Sequence, residues 1–230
     1  MGLLFFSIRM SVALYFASPA SAPMYFGSDF ELAENKIKSY DSVFNAVANA
    51  FNTDAEVMKA IVFPEFLRYS YLSDFMESFA LEHIYTNYGS SMVDFSIGEC
   101  QIKPSFAEDI ETRTVKNSLL KEYLAGIETN NTSISRRQRV ERLKNIKWQL
   151  TYLALFVKIA GDKFNLTNKP QADKVRMLAT IYNRGINISM NKLLTLAPQH
   201  SFPNGNRAGS NNPYAYGELS LLYLKRNHSY

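Results

Sequence analysis

The sequence has few of the residues that form covalent cross-links or metal sites. Of its 230 residues only one is a cysteine, Cys100, so no disulfide can form within the chain. The three histidines, His83, His200 and His228, lie far apart in the sequence. Neither an HExxH nor a CxxC spacing occurs, and these are the spacings typical of zinc sites. The sequence therefore predicts no metal and no cofactor.

An excess of one charge and long hydrophobic runs are also lacking. Twenty-five basic residues oppose 21 acidic residues, which gives a net charge of +4. No long basic block or nucleic-acid motif occurs, so we expect no nucleic-acid partner. The most apolar internal run, residues 150–160, contains Lys158. It is about half of the roughly 20 apolar residues that a membrane-spanning helix needs, and it predicts a buried core helix instead.

Apolar residues make up 47% of the chain and charged residues 20%, a composition typical of a globular protein. Helical spacing is common and strand-like alternation is scarce, which predicts an all-α fold. Capping residues and helix breakers give the expected helices. They cover 28–51, 54 onwards with a kink or restart at Pro64, 73–88, 105 onwards, 135–160, 171–184 and 218–226. Residues 23–230 are expected to form one domain with a loop-rich segment at 198–217, which is a candidate lid.

The third of these helices has an expected inward face, on which Phe79, Ile84 and Tyr88 follow helical spacing. Near the start of the next helix, Ser105 and Glu108 have the spacing of a capping box. In the fifth, six basic side chains oppose the single Glu141, and we interpret them as a solvated face. These six are Arg136, Arg137, Arg139, Arg142, Lys144 and Lys147.

Residues 1–22 have the pattern of a signal peptide. Two apolar stretches flank Arg9, the only charge, and the segment ends in Ala20-Ser21-Ala22. This end fits the small-x-small pattern before a cleavage site, although Pro23 would follow the cleaved bond. We expect export with loss of residues 1–22, to the periplasm, with no membrane span after cleavage.

Three short motifs carry the candidate chemistry. Glu65 lies in the apolar stretch IVFPEFLRY, where burial would favour a protonated carboxyl suited to general acid catalysis. The second motif, DFSIGECQIKPSF, places the polar Gln101 in a tight turn. The third, LATIYNRG, brings Tyr182 and Asn183 to the end of a helix at Gly185.

Together these motifs resemble the lysozyme-like fold of soluble lytic transglycosylases and goose-type lysozymes. That family has a catalytic Glu on a helix, then G-x-x-Q-I-x-P, then A-x-Y-N-x-G. The sequence has Glu65, then GECQIKP at 98–104, then ATIYNRG at 179–185. It departs from the pattern at Phe66, where Ser or Thr is usual, and at Glu99-Cys100, where apolar residues are usual. The distance from Glu65 to Gly98 is also longer than is typical of the family.

The resemblance implies a lytic transglycosylase that cleaves the bond between N-acetylmuramic acid and N-acetylglucosamine in peptidoglycan. Glu65 would be the general acid and base, and Gln101, Tyr182 and Asn183 would bind the substrate. Hydrolysis would need a second carboxylate, for which Asp74 and Asp94 are the nearest candidates. The departures leave open a catalytically inactive, lysozyme-like binding or structural protein of the cell envelope. An unrelated helical adaptor, in which the motifs coincide by chance, is the third alternative.

Overall fold

We describe the protein from a computed structural model, over residues 18–72, 78–205 and 212–227. Most of the predicted signal peptide, the candidate Asp74 and residues 206–211 of the predicted lid lie outside these ranges. The α-helices are α1 (Ala22–Phe26), α2 (Ser28–Ser39), α3 (Asp41–Phe51), α4 (Ala55–Leu72), α5 (Ser78–Tyr88), α6 (Pro104–Lys116), α7 (Ser133–Leu143), α8 (Ile146–Lys163), α9 (Gln171–Arg184), α10 (Met190–Leu196) and α11 (Tyr216–Asn227). Short 3-10 helices cover Pro19–Ser21 and Lys121–Leu124.

The all-α prediction is confirmed, since 69% of the structure is helical. In the described residues, the sheet consists of two short antiparallel strands, β1 (His200–Phe202) and β2 (Tyr214–Ala215). These strands lie within the segment that we predicted as a loop, 198–217. None of the helices in the described ranges is both long and apolar enough to cross a membrane.

Two predicted helices are in fact helix pairs. The expected helix 28–51 breaks at Tyr40, whose carbonyl accepts the first hydrogen bonds of α3 from Val43 and Phe44. The expected helix 135–160 breaks at Asn145, whose side chain accepts a hydrogen bond from the backbone of Trp148 and so caps α8. The second helix of this pair then continues past Gly161 to Lys163.

The end of a helix was predicted more accurately where a side chain or a glycine marks it. Asp54 accepts hydrogen bonds from the backbone of Glu56 and Val57, as expected of the cap of α4. Helix α9 ends where expected, because Gly185 has a φ of +87°, a conformation that favours glycine. The predicted restart at Pro64 is wrong, since α4 continues through that residue.

The chain divides into two compact units. Among the described residues, unit 1 contains 18–39, 59–71, 169–205 and 212–227, and unit 2 contains 40–58, 72 and 78–168. The expectation that 23–230 form one lysozyme-like domain stays a prediction.

The core of unit 1 is aromatic. Phe63 of α4 lies 4.9 Å from the ring of Phe30 in α2 and 4.7 Å from the ring of Tyr223 in α11. Helix α11 also packs closely on α9 at Gly217, where a Cβ atom would lie 2.7 Å from the carbonyl oxygen of Arg176. Since real Cβ atoms do not approach an oxygen so closely, only glycine allows this helix contact.

Unit 2 contains the apolar helix that the sequence predicted at 150–160. Seven consecutive residues of α8, 151–157, are buried, and Phe156 packs against Phe106 of α6. Lys158 remains compatible with this setting because its ammonium donates a hydrogen bond to the carbonyl of Phe51 at 2.9 Å. This prediction of a core helix is confirmed.

Candidate active site

Glu65 lies in the interior of unit 1. Helix α4 places it after Pro64, and the residue is 4% exposed. Its apolar sequence neighbours Val62, Phe63 and Phe66 are buried as well. The predicted burial of this residue is therefore confirmed, but the sequence did not predict the polar groups that contact its carboxylate.

The first of these groups is Arg68, one helical turn after Glu65. A guanidinium nitrogen of Arg68 lies 2.6 Å from a carboxylate oxygen of Glu65. The same side chain donates a hydrogen bond to the carbonyl of Pro203 at 3.0 Å and lies over the ring of Phe202. Arg68 thus contacts three groups, the carboxylate of Glu65, the carbonyl of Pro203 and the ring of Phe202, and its contact with Glu65 is a charge-assisted hydrogen bond.

The second group is Tyr216, the first residue of α11. Burial raises the pKa of its hydroxyl well above the usual value of 10, and the neighbouring Glu65 carboxylate raises that pKa further by its charge and by a hydrogen bond. The positive charge of Arg68 lowers the pKa of Tyr216 in part. Tyr216 is therefore a neutral hydroxyl next to a carboxylate, and it donates a long hydrogen bond of 3.4 Å to the carbonyl of Ile61.

Tyr182, a predicted substrate-binding residue, lies near the same group. The charge of its hydroxyl contributes to the raised pKa of Tyr216, so the two side chains are electrostatic neighbours. Tyr182 is half-buried on α9, as is the next residue, Asn183. Four side chains of unit 1 thus form what we call the Glu65 cluster: Glu65, Arg68, Tyr182 and Tyr216.

Gln101 belongs to unit 2 and lies in the tight turn that the second motif predicts. Ile97 and Ile102 pair across this turn, with N–H to carbonyl distances of 3.0 and 3.2 Å. Both Gly98 and Gln101 have positive φ, at +69° and +50°. The Gln101 side-chain amide donates back to the carbonyl of Gly98 at 2.9 Å, so its observed role is to stabilise the turn.

A side chain of α8, that of Gln149, also holds this turn in place. The side-chain oxygen of Gln149 accepts a hydrogen bond from the backbone of Cys100 at 2.8 Å. A Cβ atom at Gly98 would overlap the Gln149 amide group, which is fully buried. The glycine of this motif is therefore required by both its conformation and its packing.

The candidate second carboxylate, Asp94, has a structural role. Its two oxygens accept hydrogen bonds from the backbone and the hydroxyl of Ser105, at 3.1 and 2.8 Å, at the start of α6. Glu99, one of the departures from the family pattern, accepts a hydrogen bond from Tyr40 at 2.9 Å.

The predicted Ser105–Glu108 capping box is wrong, because Glu108 accepts hydrogen bonds from Tyr85 and Ser90 instead.

The interpretation of the basic residues as a solvated face is wrong for Arg139 and Arg142. Glu111, which is fully buried, accepts two hydrogen bonds from Arg139, one from Arg142 and one from the hydroxyl of Tyr152. Arg139 also donates to Tyr85 at 2.7 Å. We call these five residues the buried ion cluster. The acidic partner lies on α6, about 28 residues earlier in the chain, so a local count of charges could not identify it.

The sequence interpretation missed Arg68 and Tyr216. The position of Arg68, three residues after Glu65, was a usable signal because residues at this spacing are neighbours on a helix. No local pattern links Tyr216 to Glu65.

In the residues that the structure describes, no group of three or more His, Cys, Asp or Glu side chains could hold a metal ion. Comparisons with protein-family models, with curated proteins and with solved structures find no match to this chain.

Proposed function

We propose that this protein is a peptidoglycan lytic transglycosylase with Glu65 as its general acid and base. The observation that carries the proposal is the Glu65 cluster, in which a buried carboxylate pairs with Arg68 and lies beside Tyr216, whose other electrostatic neighbour is Tyr182. The order of the three sequence motifs adds to it. Peptidoglycan glycan strands are the proposed substrate, and Tyr182 and Asn183 on α9 are proposed to bind it.

One carboxylate is sufficient for both proton transfers of this reaction. Protonated Glu65 donates its proton to the glycosidic oxygen as the bond breaks. The resulting carboxylate then accepts the proton of the C6 hydroxyl of the muramic acid residue, whose oxygen attacks C1. The product is a 1,6-anhydro sugar, and no water is consumed.

The observed hydrogen bonds suit the second of these steps. Arg68 pairs with the carboxylate at 2.6 Å, the hydroxyl of Tyr216 lies beside it, and the carboxylate anion is the form that accepts a proton. For the first step the Arg68 guanidinium must withdraw from Glu65. Its side chain is 22% exposed, whereas that of Glu65 is 6% exposed, so Arg68 is the partner with access to solvent.

The same ion pair favours a second candidate function, a catalytically inactive binding or structural protein of the cell envelope. In this alternative, the carboxylate that Arg68 holds at 2.6 Å has a structural role, because Arg68 joins it to the segment around Phe202 and Pro203. The buried Phe66 at the position after Glu65 is in keeping with this alternative.

Export to the periplasm is part of the proposal. Ser21 and Ala22, at the end of the predicted signal peptide, are buried in unit 1, and the Ser21 hydroxyl lies 3.0 Å from that of Tyr214. Cleavage after Ala22 would remove this contact. N-terminal sequencing of protein from its native host tests the cleavage site after Ala22. An intact Met1 on cytoplasmic protein would contradict export.

Incubation with purified sacculi tests the activity. Mass spectrometry of the released muropeptides is expected to show 1,6-anhydro ends with the wild type. The Glu65→Gln variant should release none above background, while Glu31→Gln, which changes an exposed carboxylate of α2, should match the wild type. Reducing muramic acid ends would indicate hydrolysis. An inactive wild type would favour the binding or structural alternative.

A further inference from the structure

Unit 2 contains an open groove beside the only tryptophan of the chain, Trp148. The groove has a volume of about 800 Å³, within the range of about 300–1,000 Å³ that is usual for small-molecule sites. Helices α7 and α8 and the segment 126–128 line it. Neither the three motifs nor the proposed mechanism uses any of these residues.

Trp148 gives the groove an aromatic surface. It is half-buried, whereas the two residues after it, Gln149 and Leu150, are fully buried in the core. Arg142 lies 5.9 Å from the ring, and its ion pair with Glu111 holds it in place. The indole thus has a positioned guanidinium near its ring and keeps part of its surface accessible, as a stacking platform requires.

The polar lining is rich in hydrogen-bonding groups and balanced in charge. Arg137 and Arg142 oppose Glu128 and Glu141, so the lining carries no net charge. Gln138 supplies an exposed amide. Asn145 also lines the groove and caps α8 with its amide oxygen, which leaves the two N–H donors of that amide.

Within residues 18–72, 78–205 and 212–227, the side chains of Arg137 and Gln138 form no hydrogen bond or ion pair with the protein. Their donors and acceptors are therefore available to a ligand. A lining with balanced charge favours neither a strongly anionic nor a strongly cationic ligand. An aromatic face beside planar amides and charged hydrogen-bonding groups suits a molecule with an apolar C–H face and a ring of hydroxyl and acetamido groups.

We infer that this groove is a binding site for a neutral oligosaccharide, in which one sugar ring stacks on Trp148. Hydroxyl and acetamido groups of the neighbouring sugars hydrogen-bond to Arg137, Gln138 and Asn145. The inference rests on residues of unit 2 alone. It therefore does not depend on catalysis by Glu65, and its failure would leave the proposed function untouched.

The single tryptophan allows a direct test with the full chain, because its intrinsic fluorescence reports on this groove alone. Titration with the N-acetylglucosamine tetramer is expected to give a saturable change in emission. A tetramer of galacturonic acid, which is anionic, is expected to bind more weakly. Absence of any change with the neutral tetramer, confirmed by the absence of heat in calorimetry, would overturn the inference, as would tighter binding of the anionic tetramer.

Calorimetry of variants tests the stacking contact. We expect Trp148→Ala to weaken binding by about tenfold or more, the scale of an aromatic anchor. Trp148→Phe keeps an aromatic ring but loses the indole N–H, and we expect it to weaken binding by about threefold or more. If Trp148→Ala does not fold, the Trp148→Phe variant tests the stacking contact in its place.

Lys147→Ala is the matched control. It changes an exposed side chain of the same helix that does not line the groove, and it should bind like the wild type. Wild-type affinity in folded Trp148 variants would overturn the inference. An equal loss in Lys147→Ala would also overturn it, since the effect would then not be specific to the groove.

Discussion

The buried ion cluster allows a quantitative prediction, because its acid, Glu111, is fully buried and has basic partners on both oxygens. One oxygen lies 3.0 and 2.6 Å from two nitrogens of Arg139, and the other lies 2.9 Å from Arg142. The Glu111→Gln variant keeps the shape of the side chain. It removes the negative charge and replaces one acceptor oxygen with an amide group that can only donate.

The expected loss of stability is large. Breaking a buried ion pair by neutralising one partner costs about 3–5 kcal/mol, because the remaining charge is left buried and unpaired. Here Arg139, with a side chain that is 1% exposed, cannot turn to solvent. Arg142, at 11%, is only slightly more accessible. We therefore expect Glu111→Gln to lose about 3–5 kcal/mol of its free energy of unfolding, out of the roughly 5–15 kcal/mol that is usual for a folded protein.

Urea denaturation followed by far-UV circular dichroism measures this loss. At a slope of about 2–3 kcal/mol per molar urea, the midpoint should fall by roughly 1–2.5 M. Glu141→Gln is the matched control, because its side chain is 66% exposed and pairs with Lys144 at the surface. It should change stability by no more than about 0.5 kcal/mol.

A double-mutant cycle separates the ion pair from simple packing. The Arg139→Met variant alone should be as costly as Glu111→Gln, and the combined variant should cost less than the sum of the two by about 1 kcal/mol or more. A loss below about 1 kcal/mol for Glu111→Gln, or strict additivity in the cycle, would refute the view that this cluster is a mutually dependent buried network.

Three further predictions follow from the described contacts. Glu65→Gln should lower the rate of turbidity loss of cell walls by about 100-fold or more, and equal rates would remove Glu65 from the mechanism. Burial raises the pKa of four tyrosine hydroxyls, those of Tyr85, Tyr152, Tyr214 and Tyr216. Their contribution to stability is complete below pH 10 and falls above it by about 1.4 kcal/mol per pH unit for each group, as denaturation at pH 9–11 can measure. Ordinary titration of all 14 tyrosines in the folded protein would contradict this. Gly98→Ala should cost about 2–5 kcal/mol in thermal unfolding, from its positive φ and the overlap with Gln149, whereas Gly161→Ala, with open space around it, should not destabilise.

Local signals predicted those parts of the fold that local interactions determine. The Asp54 cap and the Gly185 stop depend on atoms within a few residues of each other, so both were correct. The apolar run at 150–160 predicted a buried helix for the same reason. The break at Tyr40 was missed because its cap position holds a tyrosine, although Ser39 and Asp41 on either side are residues that often mark the end and the start of a helix.

The buried face of α5 shows why hydrophobic periodicity can be misleading. Phe79 and Tyr88, which we expected to face inward, are 86% and 67% exposed. Tyr85 is fully buried instead, and its hydroxyl bonds to Arg139 and Glu108. A polar network decides which face packs, and periodicity cannot detect it because it counts hydroxyl and guanidinium groups as solvent-exposed.

The same limit applies to the candidate site. Glu65 and Tyr182 were selected from local motifs, and unit 1 holds both of them. Their mutual neighbour is Tyr216, about 150 residues after Glu65, and it was missed because no residue near Glu65 in the sequence points to it. A sequence pattern can identify a carboxylate in an apolar setting. The groups that decide whether that carboxylate is poised to give a proton or to accept one are set by tertiary contacts, here Arg68 with its anchor at Pro203 and the hydroxyl of Tyr216. Catalysis by Glu65 therefore depends on whether Arg68 can leave the carboxylate when a glycan strand is bound.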